Sequence, residues 1–141
     1  MKTRDIAAGI SIIVFLVAAG LSLAGPSEEK AAVKAAREWL SLVDSGGYAE
    51  SWTEAATLFK GAVPQEQWTA QVKAVRKPLG KVLKRKVKSK QYRKTLPGAP
   101  DGEYVVIQFE TTFGNKKSAI ETVTPMLDKD RTWRVSGYYI R

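Results

Sequence analysis

Residues 80–95, GKVLKRKVKSKQYRKT, mark the point where the chain changes its hydropathy period. Before Gly80, apolar residues recur three and four positions apart. After it, apolar and polar residues alternate. The first spacing belongs to one face of a helix and the second to a strand. Leu83, Arg85 and Val87 fall on one side of this strand, and Lys84, Lys86, Lys88 and Lys90 on the other. Helices therefore come first and strands after, which is the order of an α+β fold.

Downstream, Leu96 to Gly102 (LPGAPDG) is a turn-rich connection. Glu103 to Phe113 reads as a second strand, with Val105, Ile107, Phe109 and Phe113 on one face. Gly114-Asn115 is a two-residue hairpin signal. Lys117 to Leu127 is a third strand, in which Pro125 predicts an edge position or a bulge. Asp128-Lys129-Asp130 turns the chain into a last strand, Arg131 to Arg141, with Trp133, Val135 and Tyr139 on one face. Gly137 predicts a bulge or sharp twist there.

Upstream, a helix opens at Pro64, presents Trp68, Val72 and Val75, and stops at Pro78 and Gly80. The spacing of Tyr48, Trp52, Ala55, Ala56 and Phe59 predicts one helix over Tyr48 to Ala62. A first helix starts at Pro26 and Ser27, with Ser27 as cap and Glu28 and Glu29 in its first turn. Its apolar face is Ala32, Ala36, Trp39, Leu40 and Val43, and Ser45-Gly46-Gly47 ends it. The expectation is three N-terminal helices packed on a curved four-stranded antiparallel sheet. The nearest fold-level comparison is the cone of nuclear-transport-factor-2-like or cystatin-like proteins, which by itself implies no function.

Two segments divide the chain. Residues 1–24 carry Lys2 and Arg4 followed by an apolar run from Ile6 to Ala24. About 19 apolar residues suffice to enter or span a bilayer, so this stretch reads as a cleaved signal peptide or a retained anchor. Ser22-Leu23-Ala24 supplies small residues for cleavage before Gly25. The positive start and the acidic flank at Glu28 and Glu29 place residues 25–141, a single domain, outside the cytoplasm. The expected location is periplasmic or secreted, or tethered to the inner membrane through residues 6–24.

Composition removes several chemistries. The sequence has no cysteine and no histidine. Thiol nucleophiles, thiolate metal sites and histidine-dependent dyads are excluded. Catalysis would rest on carboxylates, tyrosines or lysines: Asp44, Glu103, Glu110, Glu121, Tyr104 and Tyr139 are the available types, and no pair stands out by spacing. No phosphate-cradling glycine loop occurs, so no cofactor, metal site or catalytic residue is assigned.

Charge is the sharpest feature. The net charge is +9, and eleven Lys or Arg with no acid lie between Lys73 and Lys94. Lys84, Lys86, Lys88 and Lys90 would stand roughly 6.6–6.8 Å apart on one strand face. Such a row suits anionic lipid, an acidic glycan or an acidic protein. Nucleic acid is disfavoured, because no recognition motif accompanies the charge. The alternative is a plain solvated face that discourages edge pairing. Glu110 and Glu121 on neighbouring strands would partly neutralise the row if the register matches. A second candidate is a cleft between helices and sheet, lined by Trp52, Phe59, Trp133 and Tyr139 and able to take a small ligand.

Three stretches carry a likeness: Arg76-Lys77-Pro78-Leu79-Gly80, Leu96-Pro97-Gly98-Ala99-Pro100-Asp101-Gly102-Glu103-Tyr104, and Trp133-Arg134-Val135-Ser136-Gly137-Tyr138-Tyr139-Ile140. Together with Trp52 and Phe59, they resemble an exported bacterial family known as domain of unknown function 4019, over roughly residues 33–141. The resemblance implies an envelope location and supplies no catalytic residues. One departure is Arg131, at a turn position where the pattern leads one to expect Gly.

Overall fold

The computed structural model describes residues 24–141; the expected signal peptide or anchor, residues 1–24, lies outside them but for its last residue. Four helices precede four strands: α1 (Ala24–Asp44), α2 (Tyr48–Thr53), α3 (Thr57–Ala62), α4 (Gln65–Leu79), β1 (Val82–Arg93), β2 (Tyr104–Phe113), β3 (Lys116–Leu127) and β4 (Trp133–Ile140). The strands form one antiparallel sheet in the order β1-β2-β3-β4. The molecule is α+β. Among the described residues, no helix is long and apolar enough to cross a membrane.

The helix count differs from the expected three, because Tyr48 to Ala62 is broken at Glu54, Ala55 and Ala56. The break has two partners on the far side of the chain. The Ala56 N–H donates to the Val135 carbonyl at 2.8 Å. Asp128 Oδ2 accepts from the Thr57 N–H at 3.0 Å and from Thr57 Oγ1 at 3.1 Å. A carboxylate from the β3–β4 turn thus caps α3, a role usually filled locally. Period alone cannot reveal a cap 71 residues away.

Two helix starts also shift. Pro26 and Ser27 lie inside α1, so Ser27 is not its cap. Pro64 is the N-cap of α4 rather than its first helical residue, and its carbonyl accepts from the Trp68 N–H at 3.0 Å.

The core matches the apolar faces closely. Ala32, Ala36, Trp39, Leu40 and Val43 of α1 bury against Val105, Ile107 and Phe109 of β2, Val123 of β3 and Val135 of β4. Val75, expected on the buried face of α4, is 51% exposed. Gly80 links helix to sheet at φ +77, a conformation that other residues adopt only with strain.

Bulges decide which side chains face where. On β1, Val87 pairs with Phe109 but Ser89 with Gln108, so Lys88 is an extra residue. On β4, Val135 pairs with Pro125 and Tyr138 with Val123, so one extra residue falls around Ser136 and Gly137. The expected bulge at Gly137 is present. Pro125 sits opposite it on an inner strand, not an edge. A one-residue slip exchanges the two faces of a strand.

Arg131 is the one described non-glycine residue with positive φ, at 68°. Its ion pair with Glu103, at 3.7 Å, is largely exposed and contributes little. Replacing Arg131 with Gly should stabilise the fold by about 1 kcal/mol. A raised melting temperature checks this, and a fall would contradict it.

Candidate functional site

The helices cover one face of the sheet and leave the other to solvent. On the open face, Lys84 pairs with Thr112 and Lys86 with Glu110. A groove of about 440 Å³ runs across it, lined by Lys84, Lys86, Lys88, Glu110, Lys117 and Ser118 among others. Lys86 Nζ stands 3.4 Å from Glu110 Oε2, and both groups are exposed. Four ammonium groups therefore face one carboxylate. Lys117 joins from β3, because the Gly114-Asn115 hairpin folds it back beside β2. Reading through the hairpin signal could have placed it.

Lys90 departs from the row. Beyond the β1 bulge it pairs with Ile107, whose side chain belongs to the helix-covered face. Lys90 remains exposed, but its register is opposite to that of Lys84 and Lys86. The strict alternation expected over four lysines holds only up to the bulge.

The expected neutralising partner Glu121 faces the other way. It is fully buried and accepts hydrogen bonds from Arg85 Nε at 2.8 Å, Thr111 Oγ1 at 2.5 Å and the Tyr138 hydroxyl at 2.5 Å. Arg85 also donates to Asp44 at 2.7 and 3.0 Å, and Arg76 donates to Asp44 at 2.8 Å. The Arg76 guanidinium lies 5.0 Å from the centre of the Phe113 ring. Two guanidiniums balance two carboxylates, with one member each from α1, α4, β1 and β3. Burial opposes ionisation of Asp44, but the hydrogen bonds from Arg85 and Arg76 prevail and lower its pKa. Burial, with the Glu121 carboxylate beside it, pushes the Tyr138 hydroxyl well above its ordinary range. A neutral phenol and a charge-balanced set of ion pairs make this cluster a clamp between helices and sheet, with Arg76 Nε its one buried donor lacking a partner among the described residues.

The expected cleft residues do not converge. Tyr139 lines a groove beside α4, Trp133 one between α1 and β4, and Phe59 one beneath the Leu96–Ala99 turn. Trp52 packs against the core and donates from Nε1 to the Val63 carbonyl at 2.7 Å. Tyr139 is 58% exposed, because the β4 bulge turns Tyr138 inward in its place. Aromatic rings fill the space between helices and sheet. Trp39 lies 5.2 Å from Tyr138 and 6.1 Å from Trp68, and Phe59 packs edge-on to Trp68 at 4.9 Å. The Trp68 indole donates to Ser51 Oγ at 2.9 Å, and the Trp39 indole to the Ser51 carbonyl at 2.7 Å.

A family model described as protein of unknown function (DUF4019) matches residues 35–138. The chain belongs to that family. The DUF4019 match takes in the clamp from Asp44 to Tyr138 and the whole basic strand. No curated protein and no solved structure matches the chain.

Proposed function

We propose that this DUF4019 protein is an extracytoplasmic binding module whose open, basic sheet face holds an anionic ligand: lipid headgroup, acidic glycan or acidic protein. One observation carries the reading. The groove on that face gathers Lys84, Lys86, Lys88 and Lys117 around a single exposed carboxylate, Glu110. A local excess of like charge on a fixed sheet is costly unless counter-ions or a ligand offset it. The helices, sheet and filled core support a cone-like architecture of the nuclear-transport-factor-2 type, open on its outer face. The competing reading, a small-molecule enzyme or ligand-binding protein in the helix–sheet cleft, must contend with Trp39, Trp68 and Tyr138 packed together there.

The test uses residues 25–141 and vesicles with and without anionic lipid, together with an acidic glycan. Replacing Lys84, Lys86, Lys88 and Lys117 with Gln should weaken binding at least tenfold, and added salt should do the same to the parent. Lys90→Gln should leave it nearly unchanged. Equal binding by the fourfold variant removes the proposal.

The apolar run of residues 6–24 supports export. A reporter active only in the cytoplasm, fused after Arg141, should be inactive; strong activity would refute the location.

A further inference from the structure

We propose that the free edge of β4, with the groove between β4 and α4, takes up an extended acidic segment of another protein as a fifth strand. β4 is the outermost strand on its side of the sheet. Arg141 and Ile120 exchange both backbone hydrogen bonds, at 2.9 and 3.1 Å. In an antiparallel ladder, inward and outward residues alternate. Tyr139 therefore faces β3, while Tyr138 and Ile140 direct their N–H and C=O groups outward. Among the described residues, no backbone group pairs with them. Earlier on the same edge, the Val135 carbonyl already accepts from Ala56. The open length is thus the last turn of the ladder, directly beside the groove.

That groove has about 490 Å³ and an apolar lining that includes Val72, Val75, Tyr138 and Ile140. Val75 and Tyr139 are both more than half exposed. An incoming strand would place alternate side chains against the exposed Val75 and along the groove beside Ile140 while its backbone completes the ladder, the usual mode of strand addition. The two sheet edges differ in protection. β1 carries lysines that discourage such pairing, whereas β4 carries none.

Charge selects the occupant. Arg76, Arg131 and Arg134 are already paired with Asp44, Glu103 and Asp130, but Lys73 and Lys77 of α4 and Lys81 just beyond it pair with no acid among the described residues, and no acid lies between Gln67 and Val82. An apolar slot flanked by these unpaired lysines favours an acidic partner and opposes a second copy of this chain.

The experiment uses a fluorescein-labelled peptide of alternating Val and Thr with Glu at both ends, followed by fluorescence anisotropy. Its twin has alternate backbone amides N-methylated, which keeps charge and composition but removes ladder donors. The unmodified peptide should bind saturably, the methylated one at least about tenfold more weakly, and Val75→Gln should weaken binding similarly without lowering the melting temperature. Equal binding of the two peptides, unchanged binding to Val75→Gln, or no binding of the unmodified peptide overturns the proposal. A dimer in sedimentation that dissociates on Val75→Gln would make the occupant a second copy and overturn the acidic partner.

Discussion

Replacing Glu121 with Ala should cost about 3–5 kcal/mol, the range for removing one partner of a buried ion pair. Native domains hold only about 5–15 kcal/mol in total, so much of the fold's margin would go. Glu121 is completely shielded from water, and Arg85 loses its buried acceptor when the carboxylate goes. Tyr138 and Thr111 lose theirs as well. Glu121→Gln should cost less, since an amide still accepts from Tyr138 or Thr111 while the local charge becomes unbalanced. An exposed pair gives the contrast. Lys34 and Glu38 sit 2.5 Å apart with side chains 79% and 64% exposed. Removing that pair should change stability by about 0.5 kcal/mol or less. Urea midpoints of the three variants check the ranking, and a mild effect from Glu121→Ala would contradict the clamp.

Trp68→Ala should be comparably severe, at about 3–5 kcal/mol, because a large buried ring leaves a cavity that its surroundings cannot close. Its ring packs against Trp39, Phe59 and Tyr138, and its indole N–H holds Ser51, which is itself fully buried. Trp52 is only half-buried at the rim of the core, so Trp52→Ala should cost less. Denaturant unfolding measures both, and an unchanged slope would show that stability rather than compactness has moved. If the two variants lose equal stability, the aromatic centre is not where the packing energy lies.

Element order, strand pairing and most of the core were legible because each rests on a local period. The faces of α1 and β2 needed nothing more than spacing. What failed did so for non-local reasons. Asp128 breaks the middle helix from the far end of the chain. The bulges near Lys88 and Gly137 shift the phase of their strands, which sends Lys90 to the other face and exchanges Tyr139 for Tyr138. Gly137 advertised its bulge, while Lys88 sits in an unbroken polar alternation that conceals one. The clamp was the largest omission. Asp44, Arg76, Arg85 and Glu121 come from four elements, and no spacing rule brings them together. Arg85 on the apolar side of β1 was the one available hint, since a guanidinium there needs a buried partner.

The basic face is tested most directly by amide-resolved NMR of residues 25–141 titrated with a soluble polyanion, such as a sulfated or phosphorylated glycan. Salt-reversible shifts should cluster at Lys84, Lys86, Lys88, Lys117 and Ser118. Shifts confined to the helix-covered side, or none at all, would contradict a ligand-holding outer face.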